Sequence, residues 1–248
     1  MLAIYKKELR SYFINPIGYV FLGVYLTFSA LLCAYTTIQS SSYNTTTYFT
    51  MMVFVLAVFI PILTMRSFAE ERKMKTEQLL LTSPVSVTSM VLGKFLSVLT
   101  VAGGSFLVSC INLLPLAISG AAARGGESYS MRHIGLVPSK VIGCIIGIVL
   151  ISCVFVAIGL FISSLTENQL AAAIITVAII VAMLFLNMIN GSIENYAVRF
   201  VIDWVCFASR FAPFASGMFD PSAILYYLSV SAIFLLLTVR VYDKRRWA

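Results

Sequence analysis

Charged residues are absent from Ser11 through Met65, and the polar run QSSSYNTTT, Gln39 to Thr47, divides that stretch in two. The hydrocarbon core of a bilayer is about 30 Å thick, and about 20 apolar residues of α-helix cross it. The stretch is too long for one crossing and suits two, Ile17–Ile38 and Tyr48–Met65, joined by a short turn. Further charge-free runs follow at Phe95–Ala123, Val141–Thr166, Asn168–Ile193 and Pro221–Val239. The pattern predicts an all-α integral membrane protein. Residues 1–248 form one transmembrane domain with six crossings, at about 17–38, 48–65, 95–119, 141–165, 170–190 and 221–240.

Two segments outside these runs carry a helical period of their own. In residues 1–15, MLAIYKKELRSYFIN, Leu2, Tyr5, Leu9, Tyr12 and Phe13 share one face, and Lys6, Lys7 and Arg10 are available to lipid headgroups. This predicts an amphipathic helix in the membrane interface, stopped at Asn15-Pro16 because proline disfavours helical backbone in the residue before it. Near the other membrane surface, Ile193, Tyr196, Phe200, Trp204, Ala208 and Phe211 recur at helical spacing among Glu194, Arg199, Asp203 and Arg210, and Pro213 closes the run. An external amphipathic helix is expected there, before the last span.

Composition agrees with the pattern and narrows the function. Hydrophobic residues make up 60% of the chain and charged residues 11%, against roughly 45–50% and about 25% in soluble domains. The net charge of +7 implies no nucleic-acid partner, since the basic residues flank apolar runs as they do in cytoplasmic loops of membrane proteins. With the N-terminus inside, twelve Lys and Arg face the cytoplasm and five, Arg124, Arg132, Lys140, Arg199 and Arg210, face out. Both termini are therefore expected in the cytoplasm. No small-x-small cleavage site precedes the polar exit of the first run, which reads as an uncleaved span.

The residue inventory offers little chemistry. A phosphate-binding loop needs GxxxxGK[ST], so that backbone amides and a lysine cradle phosphates; here Gly93-Lys94 is followed by Phe95, and position 88 is Thr. The single histidine, His133, falls in an expected external loop, and Cys33, Cys110, Cys144 and Cys153 lie inside apolar runs with no CxxC spacing. No GxSG nucleophile motif occurs, and Glu167 sits in the short turn SSLTENQ rather than in a span. No catalytic residue and no metal site are expected, and the chain shows no energy source of its own.

One connection stands apart. Arg66 to Phe95, RSFAEERKMKTEQLLLTSPVSVTSMVLGKF, holds eight charged residues and then the apolar triplet Leu79, Leu80 and Leu81. It reads as a short helix, charged and then apolar, ended near Ser83 by Pro84. At these residues the chain resembles the type 2 ABC exporter permeases, in particular the gliding-motility-type branch. The matching residues are Arg66-Ser67-Phe68-Ala69-Glu70-Glu71, Thr76, Leu79 through Val85, and Val91-Leu92-Gly93-Lys94-Phe95. Lys75 stands where the family usually has Gly, and Gln78 where it usually has Glu. Gly217 to Pro221, Leu225 to Trp247 and the SSLTENQ turn also fit, so the likeness covers nearly the whole chain.

The resemblance implies a permease subunit of a bacterial plasma-membrane exporter. It would pair with a second permease copy, identical or not, and with two cytoplasmic ATPase subunits that hold the ATP and Mg; accessory membrane or extracytoplasmic subunits are possible partners. Within Arg66–Pro84, the residues Glu70, Glu71, Thr76, Glu77, Gln78, Leu79, Leu80, Leu81 and Pro84 would form the coupling helix that docks on the ATPase. Tyr5, Lys6, Lys7 and Arg10 would belong to an elbow helix on the membrane. The second and fifth spans would line the route, with Phe54, Phe59, Thr176, Met183 and Asn187 as candidate lining residues. These spans carry few polar groups, so the expected substrate has a large hydrophobic portion. The alternative is a membrane anchor or mechanotransmitting subunit that recruits an ATPase and passes no substrate. The topology is directly testable with single cysteines at Ser41, Ser86 or Ser216 in a chain cleared of native cysteines. An impermeant thiol reagent on intact cells should label positions 41 and 216 and miss 86; labelling of 86 from outside would reverse the assignment.

Overall fold

A computed structural model of the chain describes residues 1–14, 16–39, 45–76, 86–115, 138–190, 206–207 and 209–247. Helix α1 spans Leu2–Ile14, and α2 spans Pro16–Cys33 and continues as a π-helical turn, Ala34–Gln39. Helix α3 spans Thr45–Lys73, α4 spans Val87–Ser109 with a 3-10 turn Cys110–Leu113, and α5 spans Pro138–Leu165. Helix α6 spans Gln169–Asn190, the short α7 spans Ala212–Ser216, and α8 spans Pro221–Trp247. Six of these, α2, α3, α4, α5, α6 and α8, are long and apolar enough to cross a membrane. Among the described residues no strand occurs.

Two spans are longer than the charge pattern predicts. The second was expected to stop at Met65, but α3 runs on for two further turns through Arg66–Lys73. The expected separate short helix in the connection is thus, in its charged half, a continuation of the span. The third was expected to begin at Phe95 because Lys94 precedes it, yet α4 begins at Val87 and Lys94 is buried within it. A charged side chain ends a span only when it must reach water, and this one finds its partners inside the protein. The expected external helix at Ile193–Phe211 falls mostly outside the described residues. Its last part, Ser209–Phe211, is a turn, and Pro213 lies in the first turn of α7 rather than closing a helix.

Helix α5 is the axis of the bundle. It is hydrophobic on every side, which a helix tolerates only where neighbours surround it, and it is the most deeply buried of the six. It packs against α3, α8, α7, α4 and α6. Glycines permit the closest of these approaches: a Cβ on Gly159 would land on the side chain of Thr64 in α3, and one on Gly143 on the Phe214 carbonyl of α7. Small residues do this work in membranes because lipid removes the hydrophobic drive between helices, leaving van der Waals contact and hydrogen bonds.

Among the described residues, buried side-chain polar atoms have hydrogen-bond partners, with Arg210 Nε as the exception. At the end of the bundle away from the chain termini, Asn112 Nδ2 donates to Ser29 Oγ, 2.9 Å, and Ser29 Oγ lies 2.9 Å from Tyr48 Oη, joining α2, α3 and the turn after α4. Tyr227 Oη donates to the Phe207 carbonyl at 2.7 Å. The glycines give the sharpest test of the packing. Gly159→Leu should cost about 1–3 kcal/mol or more by overpacking the α3–α5 crossing. Gly103→Ala, where an added Cβ meets nothing within 4 Å, should be neutral or gain about 0.5–1 kcal/mol of helix preference. Thermal midpoints of the monodisperse protein in detergent would read both; equal midpoints for the two variants would contradict this packing.

Candidate functional site

The two-turn extension of α3 ends in a defined cap. Lys75 adopts φ of 56°, in the left-handed region where glycine is favoured. Its amide donates to the Arg72 carbonyl at 3.1 Å, and the Thr76 amide to the Glu71 carbonyl at 3.0 Å. These are the two bonds of a Schellman motif. The Thr76 hydroxyl donates to the same Glu71 carbonyl at 3.2 Å. The departure noted in the sequence, Lys where glycine is usual, thus falls on the one residue of the motif that needs the left-handed conformation.

Beside the extension lies a buried ion cluster. Lys94 on α4 is 1% exposed. Its Nζ donates to Glu71 Oε1 of α3 at 2.8 Å, to Glu8 Oε1 of α1 at 3.1 Å, and to the Ser67 carbonyl at 2.7 Å. An ammonium has three N–H donors, and all three are used. The nitrogen also stands 5.1 Å from the centre of the Phe68 ring, within cation–π range. Gly93 favours the close approach of α1 to α4 beside the cluster, since a Cβ there would meet the Ile4 side chain at 3.1 Å.

Three neighbouring carbonyls of α3 accept bonds from three different helices. Tyr12 Oη of α1 donates to the Leu63 carbonyl at 3.1 Å, Ser163 Oγ of α5 to that of Met65 at 3.2 Å, and Lys94 of α4 to that of Ser67. Burial pushes the Tyr12 phenol up to about 12, so it remains a neutral donor. Ser163 Oγ also accepts from the amides of Phe68 at 3.3 Å and Ala69 at 3.1 Å, which wedges a hydroxyl against the backbone ladder of α3. The end of α5 is fastened in turn. Arg72 donates to the Leu165 carbonyl at 3.1 Å and pairs with Glu167 at 2.8 Å, and Arg245 of α8 donates to the Ser164 carbonyl at 2.7 Å. Cations at a helix C-terminus meet unpaired carbonyls and the negative end of the dipole.

Of the residues singled out from sequence, Glu70 forms a two-bond pair with Arg66 on its own helix, both contacts 2.8 Å, while Glu71 enters the ion cluster. Thr76 caps the extension. Glu77, Gln78, Leu79, Leu80, Leu81 and Pro84 lie outside the described residues. On α1, Lys6, Lys7 and Arg10 are exposed, and Tyr5 Oη lies 3.2 Å from Thr100 Oγ1 of α4. Helices α3 and α6 pack side by side. Phe54 is exposed, whereas Phe59 packs among the rings of Phe21, Tyr25 and Phe28 of α2. Thr176 is buried with its hydroxyl on the Ala172 carbonyl at 2.6 Å, Met183 is half-buried, and the Asn187 side chain lies outside the described residues. Sequence reasoning missed Glu8, Ser163, Arg245 and the burial of Lys94. Only Lys94 carried a signal, as a charge embedded in VLGKF.

Six apolar helices long enough to cross a membrane, one of them the buried axis, define a multi-pass membrane protein. The family model for ABC-2 family transporter protein matches residues 34–242, and the chain belongs to that family. It is accordingly a membrane permease component of an ABC transporter, in a family that works with cytoplasmic ABC ATPases. No curated protein matches the chain. The ion cluster yields a stability prediction. Lys94→Met strands two neighbouring carboxylates and should cost about 3–5 kcal/mol, whereas the triple variant Glu8→Met, Glu71→Met, Lys94→Met should recover most of it. Detergent thermal midpoints of the single and triple variants check this; a triple variant no more stable than the single one would contradict it.

Proposed function

We propose that the chain is one half of an ATP-driven exporter of the gliding-motility-type branch, paired with a second permease copy and driven by two ATPase subunits. The observation that carries this reading is the α3 extension. Arg66–Lys73 leaves the apolar bundle as continuous helix, is held by bonds from α1, α4, α5 and the α5–α6 turn, and ends in a cap at Lys75. The apolar part of the charged-then-apolar segment thus follows directly on a helix held by several neighbours, as a force-receiving contact requires. ATP and Mg bind on the partner, and this chain performs no catalysis.

The charged end of the bundle is the cytoplasmic end on this reading. It gathers both chain termini, the α3 extension and the Arg72–Glu167 turn, in line with the excess of Lys and Arg assigned there. Helix α1 serves as an elbow along the membrane, with Lys6, Lys7 and Arg10 turned to solvent and headgroups. The route follows α3 and α6 at the interface between permease copies, and its sparse polar groups suit a substrate with a large hydrophobic portion. The host membrane is a bacterial plasma membrane.

Leu79, Leu80 and Leu81 follow the charged end of α3 in sequence, and on this reading they dock on the ATPase. Covering one such side chain is worth about 1.5–3 kcal/mol. Leu80→Asp should therefore lose the ATPase from pull-downs of the tagged permease by tenfold or more while insertion into the membrane is unchanged. Undiminished recovery of the ATPase would make the segment an ordinary linker.

A further inference from the structure

On the proposed function, force enters the permease at the segment after Thr76, and α3 alone is poorly built to carry it across the domain. Pro61 has no N–H, so the Ala57 carbonyl loses its ladder donor. One to two helical turns further on, the Ser163 hydroxyl engages the carbonyl of Met65 and the amides of Phe68 and Ala69. Inserted groups and prolines are where helices bend. The extension beyond them can therefore tilt against the membrane-spanning half of α3.

We infer that Lys94, Glu71 and Glu8 form a latch that makes the α3 extension, α1 and the start of α4 move as one body. Lys94 is then the positioning residue that passes motion driven by the ATPase to α1 and α4. The inference rests on the ATPase-driven reading above and deepens it. Each part of the latch has its place. Glu71 lies one turn before the capped end of the extension, Glu8 is in the middle of α1, and the ammonium between them comes from α4. The nitrogen is shielded from water and its three donors are satisfied, so exchange with solvent does not loosen it. The remaining bonds cannot substitute. Tyr12 fastens α1 to the Leu63 carbonyl and lies 3.4 Å from Ser67 Oγ, both before the Phe68 and Ala69 amides that Ser163 engages, and Tyr5 fastens α1 to Thr100 at an exposed position on α4. Glu8–Lys94–Glu71 joins α1 to the far side of the wedge.

The test uses spin labels on the full chain co-purified with its ATPase, with native cysteines replaced. Ala3 on α1 and Met74 on the extension, both exposed, form one labelled pair; Met74 and Ser139, at the other end of the bundle, form the second. Distances are measured without nucleotide and after trapping with ATP, Mg and orthovanadate. In the wild type, Met74–Ser139 should shift by about 2 Å or more, the scale of helix displacements in switching proteins, while Ala3–Met74 stays constant. In Glu8→Met, where Glu71 still neutralises Lys94, Ala3–Met74 should itself become nucleotide-dependent. Tyr5→Phe removes a different α1–α4 bond and should leave Ala3–Met74 constant, which separates a latch from general loosening of α1. Should Glu8→Met fail to fold, Glu8→Gln, which keeps a weaker neutral acceptor, should broaden the Ala3–Met74 distances on trapping. A constant Ala3–Met74 distance in the Glu8 variant, equal loosening by Tyr5→Phe, or no shift of Met74–Ser139 in the wild type overturns the latch. Absence of any ATPase with the wild-type chain is a separate observation, and it overturns the transport reading on which the latch rests.

Discussion

An ammonium ion withdrawn from water must find an acceptor for each of its N–H groups and a negative charge to balance its own. Lys94 finds both, but only by drawing on two other helices, α1 and α3, at once. That demand fixes where α1 lies against α4 and where the extension of α3 lies against both. At Gly93 the lack of a Cβ lets the Ile4 side chain and the Tyr5 amide come close to α4. The remaining polar contacts at this end, from Tyr12, Ser163, Arg72 and Arg245, build outward from the same convergence.

The rest of the bundle answers a different constraint. Hydrocarbon offers no hydrogen bonds, so each backbone and side-chain polar group in a span must be satisfied within the protein. Many hydroxyls in the spans return to a carbonyl three or four residues earlier, as Thr176 does with Ala172 and Ser152 with Ile148. Others reach across helices, as Ser29, Tyr48 and Asn112 do. Packing then depends on shape, and α5 supplies it with Gly143, Gly147 and Gly159 facing α7 and α3.

These two constraints give the molecule two unlike ends. In the apolar body, many of the described polar side chains bond to one another or to nearby carbonyls. At the charged end, ion pairs and capped helix termini connect α1, α3, α4, α5 and α8 into one layer. Proteins that convert a partner's motion into rearrangement of helices need such a layer, stiff within itself and joined to the spans through places that bend. Pro61 and the Ser163 wedge supply such places in α3.

The sequence by itself determined the number of spans, their approximate places and the helical state of residues 2–14. Hydrophobic runs bounded by charge report directly on which segments tolerate lipid, and the period of α1 was plain. It also singled out Arg66–Phe95, because charge there is dense and the motif residues are contiguous. It misplaced the ends of α3 and α4, since a charge in sequence gives no sign of whether its partner is water or another side chain. Lys94 and Glu8 are 86 residues apart, and Ser163 and Phe68 are 95 apart. No local pattern encodes such pairs; only the packing of α1, α4 and α5 on α3 decides that these groups meet. The same holds for Lys75, whose sequence merely lacks a glycine until the helix cap shows which backbone conformation that position must adopt.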